Sequence, residues 1–171
     1  MKKIGFLGLG VMGLPMALNV LKKSGYPVLG FDVAQARLDQ FAAAGGETTS
    51  DPVDIYKTCD VIMQMLPTHP IIINSIKQAV QYGKPGNIIL DLDSTAPDII
   101  QELYPEVEAA GMHLLDSPVS GGNPMAIAGT LAIMTGGDKA VFEEVKPLLE
   151  CMGHPVYTGG SASGSITKLV N

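Results

Sequence analysis

Three groups of residues in this chain of 171 have types and spacings suited to chemistry on a charged small molecule. The first is Gly8-Leu9-Gly10-Val11-Met12-Gly13, followed nineteen residues after Gly13 by Asp32. Gly8 suits a turn too tight for a side chain, Gly10 lets backbone approach a pyrophosphate, and Gly13 allows a helix to pack close to a strand. A helix starting at about Val11 or Met12 would turn free N–H groups and the positive end of its dipole toward the phosphates. An acid at the position of Asp32 can accept hydrogen bonds from ribose hydroxyls and would repel a 2′-phosphate. Val33 follows it, and the single arginine, Arg37, falls on the next helix, so NAD is expected over NADP. The second group is Ser120-Gly121-Gly122. A hydroxyl and two unshielded backbone amides before a short helix can bind a carboxylate, and the same residues also suit a plain turn. The third is Lys168, with Asn171 one turn further on. By residue type alone a helical lysine is a solvated surface charge.

These groups need a frame, and the pattern of apolar runs supplies one. Ile4-Gly5-Phe6-Leu7 and Pro27-Val28-Leu29-Gly30-Phe31 read as strands flanking a helix from the glycine turn to Lys22, with Pro15 in its first turn, where a missing N–H costs little. Strands and helices alternate from there. Helices are expected over 34–44, from Pro52, over 70–81, after Ser94-Thr95 as cap, over 124–128 and over 138–151. Strands are expected at 47–49, 61–66, 87–92, 113–115, 131–134 and 155–157. Ile166, Leu169 and Val170 lie at helical spacing. Repeated βα units of this kind imply an α/β fold with a doubly wound, mainly parallel sheet of the Rossmann type. Ligands of such sheets bind beyond the carboxyl ends of the strands, so the segments after Leu7, Phe31, Leu66, Leu92 and Leu115 should share one rim.

Composition excludes several other classes. At 46% hydrophobic residues the chain can bury a sheet on both faces, yet no apolar run approaches membrane-spanning length. Lys2-Lys3 before an apolar run could begin a secretory signal, but glycines and Pro15 break that run and no small-residue cleavage site follows. A formal charge of −6 and one arginine argue against nucleic acid as a partner. Cys59 and Cys151 lie far apart without metal-like spacing and read as free thiols in a reducing cytoplasm. His69, His113 and His154 are scattered, and no metal site is expected; only His69, after Pro67, falls on the predicted rim. Asp91 and Asp93 alternate at a strand end and read as solvated.

Five stretches together resemble the β-hydroxyacid dehydrogenases, the family of 3-hydroxyisobutyrate dehydrogenase, tartronate semialdehyde reductase and, more distantly, 6-phosphogluconate dehydrogenase. They are Gly8 to Asn19, Met65-Leu66-Pro67, Asp93-Ser94-Thr95, the run from Asp116 to Gly137, and Lys168-Leu169-Val170-Asn171. The resemblance implies that Leu66, Pro67 and Thr95 line the cofactor cleft with the glycine turn, and that Ser120, Gly121 and Gly122 hold a substrate carboxylate with Asn171 nearby. It implies that Lys168 is the catalytic residue, moving the proton of the substrate hydroxyl. It further implies a small 3-hydroxy acid as substrate and NAD as cofactor. Residues 1–160 would form the cofactor domain and 161–171 the start of an interdomain helix. The resemblance also implies an all-helical domain following Asn171, which in this family closes the active site and supplies much of the dimer contact, and which the 171 residues would not include. Ala162 stands where the family has glycine, a departure confined to the local turn. A module that binds NAD without catalysis, and an NADPH-dependent semialdehyde reductase, are the competing readings.

Overall fold

The computed structural model describes residues 2–171. The chain alternates as predicted: β1 (Ile4–Leu7), α1 (Gly13–Lys23), β2 (Val28–Phe31), α2 (Gln35–Ala43), β3 (Glu47–Thr49), α3 (Pro52–Thr58), β4 (Val61–Gln64), α4 (His69–Tyr82) and β5 (Ile88–Asp91). It continues through α5 (Pro97–Ala109), β6 (His113–Asp116), β7 (Val119–Ser120), α6 (Gly122–Ala128), β8 (Leu131–Gly136), α7 (Lys139–Glu150), β9 (Gly153–Gly159) and α8 (Ser163–Val170).

The strands form one sheet in the order β3-β2-β1-β4-β5-β6-β8-β7, with β9 beside β8. The six strands from β3 to β6 are mutually parallel. β8 runs antiparallel to β6 and β7, and β9 parallel to β8. Alternate residues of each strand feed opposite cores, as a doubly covered sheet requires. In β4, Val61 and Met63 join Phe6, Met16, Val20 and Leu90 on one face, while Ile62 joins Ile55, Ile76, Ile89 and Ile100 on the other. The chain leaves β1 toward β2 and β3, then returns to place β4 on the other side of β1. That reversal opens a crevice at the carboxyl ends of β1 and β4, the switch point where such sheets bind ligands.

Several boundaries differ from the sequence reading. α1 starts at Gly13, not at Val11 or Met12. Pro15 has no N–H to give the Val11 carbonyl, which accepts instead from Asn123 Nδ2 at 2.8 Å. β4 stops at Gln64, although the Met65 amide still donates to Leu7 O at 2.9 Å. Neither Ser94 nor Thr95 caps α5: the cap is Ala96, without a side-chain bond, and the Thr95 hydroxyl donates to Asp91 Oδ2. β7 has no counterpart among the expected strands; it is two residues long and antiparallel, too short for a periodicity to mark. No helix of the described residues is long and apolar enough to cross a membrane.

Candidate functional site

The rim at the carboxyl ends of the strands carries a cleft of about 500 Å³. The glycine turn forms one wall, Asp32 and Val33 one end, and Leu66, Pro67 and Ile71 the opposite wall. Gly8 adopts φ +94°, and a Cβ on it would lie 2.1 Å from the Met65 carbonyl oxygen. A Cβ on Gly13 would lie 1.9 Å from Gly8 O, so this helix approaches the turn as closely as only glycine allows. Gly10 is different: nothing lies within 4 Å of where its Cβ would be. The space beside Gly10 belongs to the cleft. The backbone amides of Gly10, Val11 and Met12 donate to no acceptor among the described residues. Unpaired donors at the start of an eleven-residue helix, beside an empty space at a glycine, fit a pyrophosphate.

Asp32 sits half-buried at the end of β2. Its Oδ2 accepts the Leu9 amide at 2.7 Å and its Oδ1 the Ala34 amide at 2.8 Å. The carboxylate is thus fixed at the mouth of the cleft, and each oxygen keeps lone-pair capacity for a ribose hydroxyl. Leu9 itself is buried in the core, and only its amide takes part here. Val33 is 94% exposed and closes the rim with an apolar side chain instead of a cation. Arg37 lies on α2 and does not line the cleft.

A second cavity, of about 170 Å³, lies between the β5–α5 segment and α8. Thr95 and Ala96 line one side, Ser165, Lys168 and Leu169 the other, and His69 from the start of α4 completes it. Lys168 is half-buried here, so its position differs from the freely solvated one its residue type suggests. His69 Nε2 lies 3.4 Å from Ser94 O. Asn171 is exposed at the end of α8 and lines neither cavity.

Ser120 ends β7, and the exposed Gly121 and Gly122 lead into α6. Gly121 has φ +137°, which excludes a side chain. This turn lines neither cavity, but Asn123 ties it to the glycine turn through Val11 O. Asn19 of α1 reinforces the link, donating to Ala126 O at 2.9 Å and Ile127 O at 3.3 Å at the end of α6.

Sequence reasoning missed three acids beneath this rim. Asp91 and Asp93, expected to be solvated, are 0% and 4% exposed. They are enclosed because β5 is an interior strand whose end is roofed by the β4–α4 and β5–α5 segments. Burial raises the Asp91 carboxyl, opposed by hydrogen bonds from Asp93, Thr95 and Gln64. Burial, with the Asp91 charge added, pushes Asp93 up to about 10. Asp116 at the end of β6 is 1% exposed, and burial raises it against the opposing amides it accepts. Its Oδ1 accepts the Ala162 amide at 3.0 Å and its Oδ2 the Ser165 amide at 2.8 Å, so from the end of β6 it caps α8, the helix of Lys168. Among the described residues no group of three or more His, Cys, Asp or Glu could hold a metal.

Comparison with known proteins agrees with this geometry. Residues 3–160 match the family described as the NAD binding domain of 6-phosphogluconate dehydrogenase. The chain is 35% identical to the NAD-dependent L-serine dehydrogenase of Pseudomonas aeruginosa, covering 100% of this chain and 58% of that protein. It is 38% identical to the mitochondrial 3-hydroxyisobutyrate dehydrogenase of Homo sapiens, covering 98% and 51%. The structure of the 3-hydroxyisobutyrate dehydrogenase of Mycobacterium tuberculosis with L-serine superposes with a TM-score of 0.95 at 33% identity, covering 100% of this chain and 59% of that one. The chain thus spans between half and three-fifths of the length of these relatives. A Rossmann-type sheet with a glycine-turn cleft, matched over nearly all its residues, places this chain in the family of the NAD binding domain of 6-phosphogluconate dehydrogenase.

Proposed function

We propose that this chain is the cofactor domain of an NAD-dependent dehydrogenase that interconverts a small 3-hydroxy acid and its oxo acid or semialdehyde. The observation that carries the reading is the shared rim: a cleft with helix-start amides and an acid at its mouth lies beside a cavity holding Lys168. L-Serine and 3-hydroxyisobutyrate, named for the relatives, are both carboxylates with a hydroxymethyl group on the α-carbon. A substrate of that shape needs a carboxylate site and a proton-transfer group a few ångströms apart.

In this reading Gly8, Gly10, Val11, Met12 and Gly13 bind the pyrophosphate, while Asp32, beside Leu9 and Val33, holds the ribose. Leu66, Pro67 and Thr95 bound the nicotinamide half. Bound NAD supplies the hydride acceptor. Ser120 with the Gly121 and Gly122 amides takes the substrate carboxylate, and Asn171 adds a polar contact. Lys168 Nζ, as the neutral amine, accepts the hydroxyl proton during oxidation and, as ammonium, returns it to the carbonyl oxygen during reduction. Asp32 disfavours the 2′-phosphate of NADP by charge. Residues 1–160 then form the cofactor domain and 161–171 open a helix toward a helical domain and a homo-oligomer contact in a longer protein. Cys59 and Cys151, both buried and free, suit the cytoplasm.

The test is steady-state turnover of the full-length protein with a panel of 3-hydroxy acids and either NAD or NADP. Turnover with NAD on substrates of the serine and 3-hydroxyisobutyrate type is expected. NAD binding with no turnover on any hydroxy acid would leave a binding module, and a preference for NADP would favour the reductase.

A further inference from the structure

Asp93 stands where two parts of the rim meet. Its Oδ1 accepts the Leu66 amide at 2.7 Å, and Leu66 is a wall of the larger cleft. Its neighbour Asp91 accepts the Thr95 hydroxyl, and Thr95 is a wall of the smaller cavity. Gln64 Nε2 and the Asp93 amide each reach Asp91 Oδ1 at 3.3 Å. Both carboxyl groups are enclosed, and Asp93 Oδ2 is buried with no hydrogen-bond donor facing it. A carboxylate oxygen in that setting would be desolvated, unpaired and beside a second acid. A carboxyl group whose O–H points to Asp91 removes all three penalties with one proton.

No cation offsets the pair: none of the ion pairs among the described residues includes Asp91 or Asp93. The titratable groups around it are Asp116, the neighbour of Asp91 in register on β6, and His69 at the start of α4 and Lys168 on α8, which line the cavity on the far side of Thr95 and meet neither carboxyl group. Asp116 is occupied by the Ala162 and Ser165 amides, and His69 meets Ser94 O.

We propose that Asp93 is a positioning residue of the rim, which shares one proton with Asp91 and thereby holds the Leu66 wall of the cleft against the Thr95 wall of the Lys168 cavity. Loss of the proton sets two buried carboxylates against each other, and the Leu66 and Thr95 segments separate. The cofactor part of this inference rests on the larger cleft being the NAD site. The proton-sharing part does not.

The sign of the pH dependence follows from the shared proton. A carboxyl group that stays protonated in the folded chain and ionises in the unfolded chain, near about pH 4, makes stability fall as pH rises toward the folded value. The substitution Asp93→Asn copies the protonated acid, with an oxygen for the Leu66 amide and an N–H for Asp91, and the new side chain cannot titrate. In the full-length protein without cofactor, the unfolding temperature of wild type should fall relative to Asp93→Asn between about pH 6 and about pH 9.5. Parallel profiles would overturn proton sharing. NADH affinity supplies the second readout. Near neutral pH, Asp93→Asn should stay within about twofold of wild type and Asp93→Ala should weaken roughly five- to tenfold, the worth of one hydrogen bond to a buried amide. Wild type alone should lose affinity at the alkaline end. Asp93→Ala binding as tightly as wild type would overturn the positioning role. If wild type bound no NADH at all, the cofactor assignment would fall with the positioning claim, and the unfolding profiles would still decide the shared proton.

Discussion

Adding one methyl group at Gly10 and at Gly13 should separate binding from folding within a single turn. At Gly13 the new Cβ would sit 1.9 Å from Gly8 O, a backbone atom that cannot rotate away. The helix must move off the turn, which places Gly13→Ala among strained core substitutions costing about 3 kcal/mol or more. At Gly10 the new Cβ meets nothing within 4 Å. Its φ lies outside the left-handed region, so alanine fits the existing backbone. Replacing glycine at a compatible position reduces the freedom of the unfolded chain and stabilises by about 0.4–1 kcal/mol. Gly10→Ala should therefore unfold at the wild-type temperature or about 2–4 °C above it. The same methyl occupies the space beside the unpaired Gly10, Val11 and Met12 amides. Losing one or two charge-assisted hydrogen bonds of about 1.5–3 kcal/mol each should weaken NADH at least about tenfold, and about 100-fold where about 3 kcal/mol is lost. Thermal unfolding and NADH fluorescence titration on the two variants check both halves. Gly10→Ala that binds NADH like wild type, or that is as unstable as Gly13→Ala, would refute the assignment of the cleft.

Two further substitutions probe the acids. Asp32→Ala removes the acceptor at the cleft mouth and the partner of the Leu9 and Ala34 amides. The ratio of NADPH to NADH affinity should rise at least about tenfold, since a repelling charge and a ribose acceptor leave together; parallel titrations of the two cofactors decide it, and an unchanged ratio would exclude Asp32 as the discriminating group. Asp116→Asn replaces one of two acceptor oxygens by an amide nitrogen that cannot take the Ala162 or Ser165 N–H. A buried unsatisfied donor at the start of α8 should cost about 1–3 kcal/mol in denaturant unfolding and lower turnover by displacing the helix of Lys168; wild-type stability would show that the cap is dispensable.

The frame of the site was legible because its signals are local. Glycine spacing from Gly8 to Gly13, the apolar runs of β1 and β2 and the position of Asp32 all fall within one βαβ unit. What stayed hidden depends on contacts between distant parts of the chain. Asp91-Leu92-Asp93 alternates like a solvated strand end, and only the roof over β5 makes both acids interior. Asp116 caps a helix whose N-cap, Ala162, lies 46 residues later, beyond the reach of any capping pattern. The bond from Asn123 to Val11 spans 112 residues, yet Pro15 gave a hint, since a proline four residues after Val11 leaves that carbonyl without its helical donor. Residue type alone left Lys168 a surface charge and left Ser120-Gly121-Gly122 open between a carboxylate site and a plain turn; only the resemblance assigned both a role. The structure brings Lys168 into a cavity with Thr95 and ties the Ser120 turn to Val11 through Asn123.

The most direct test of the central claim is the turnover number of Lys168→Ala in the full-length protein, measured with NAD and a hydroxy acid that wild type oxidises. Lys168 lies in the Thr95 cavity and outside the glycine-turn cleft. The substitution should lower kcat about 100- to 10,000-fold, the usual worth of a proton-transfer group, with NADH affinity within about twofold of wild type. A kcat within about tenfold of wild type would contradict the account and remove Lys168 from the chemistry.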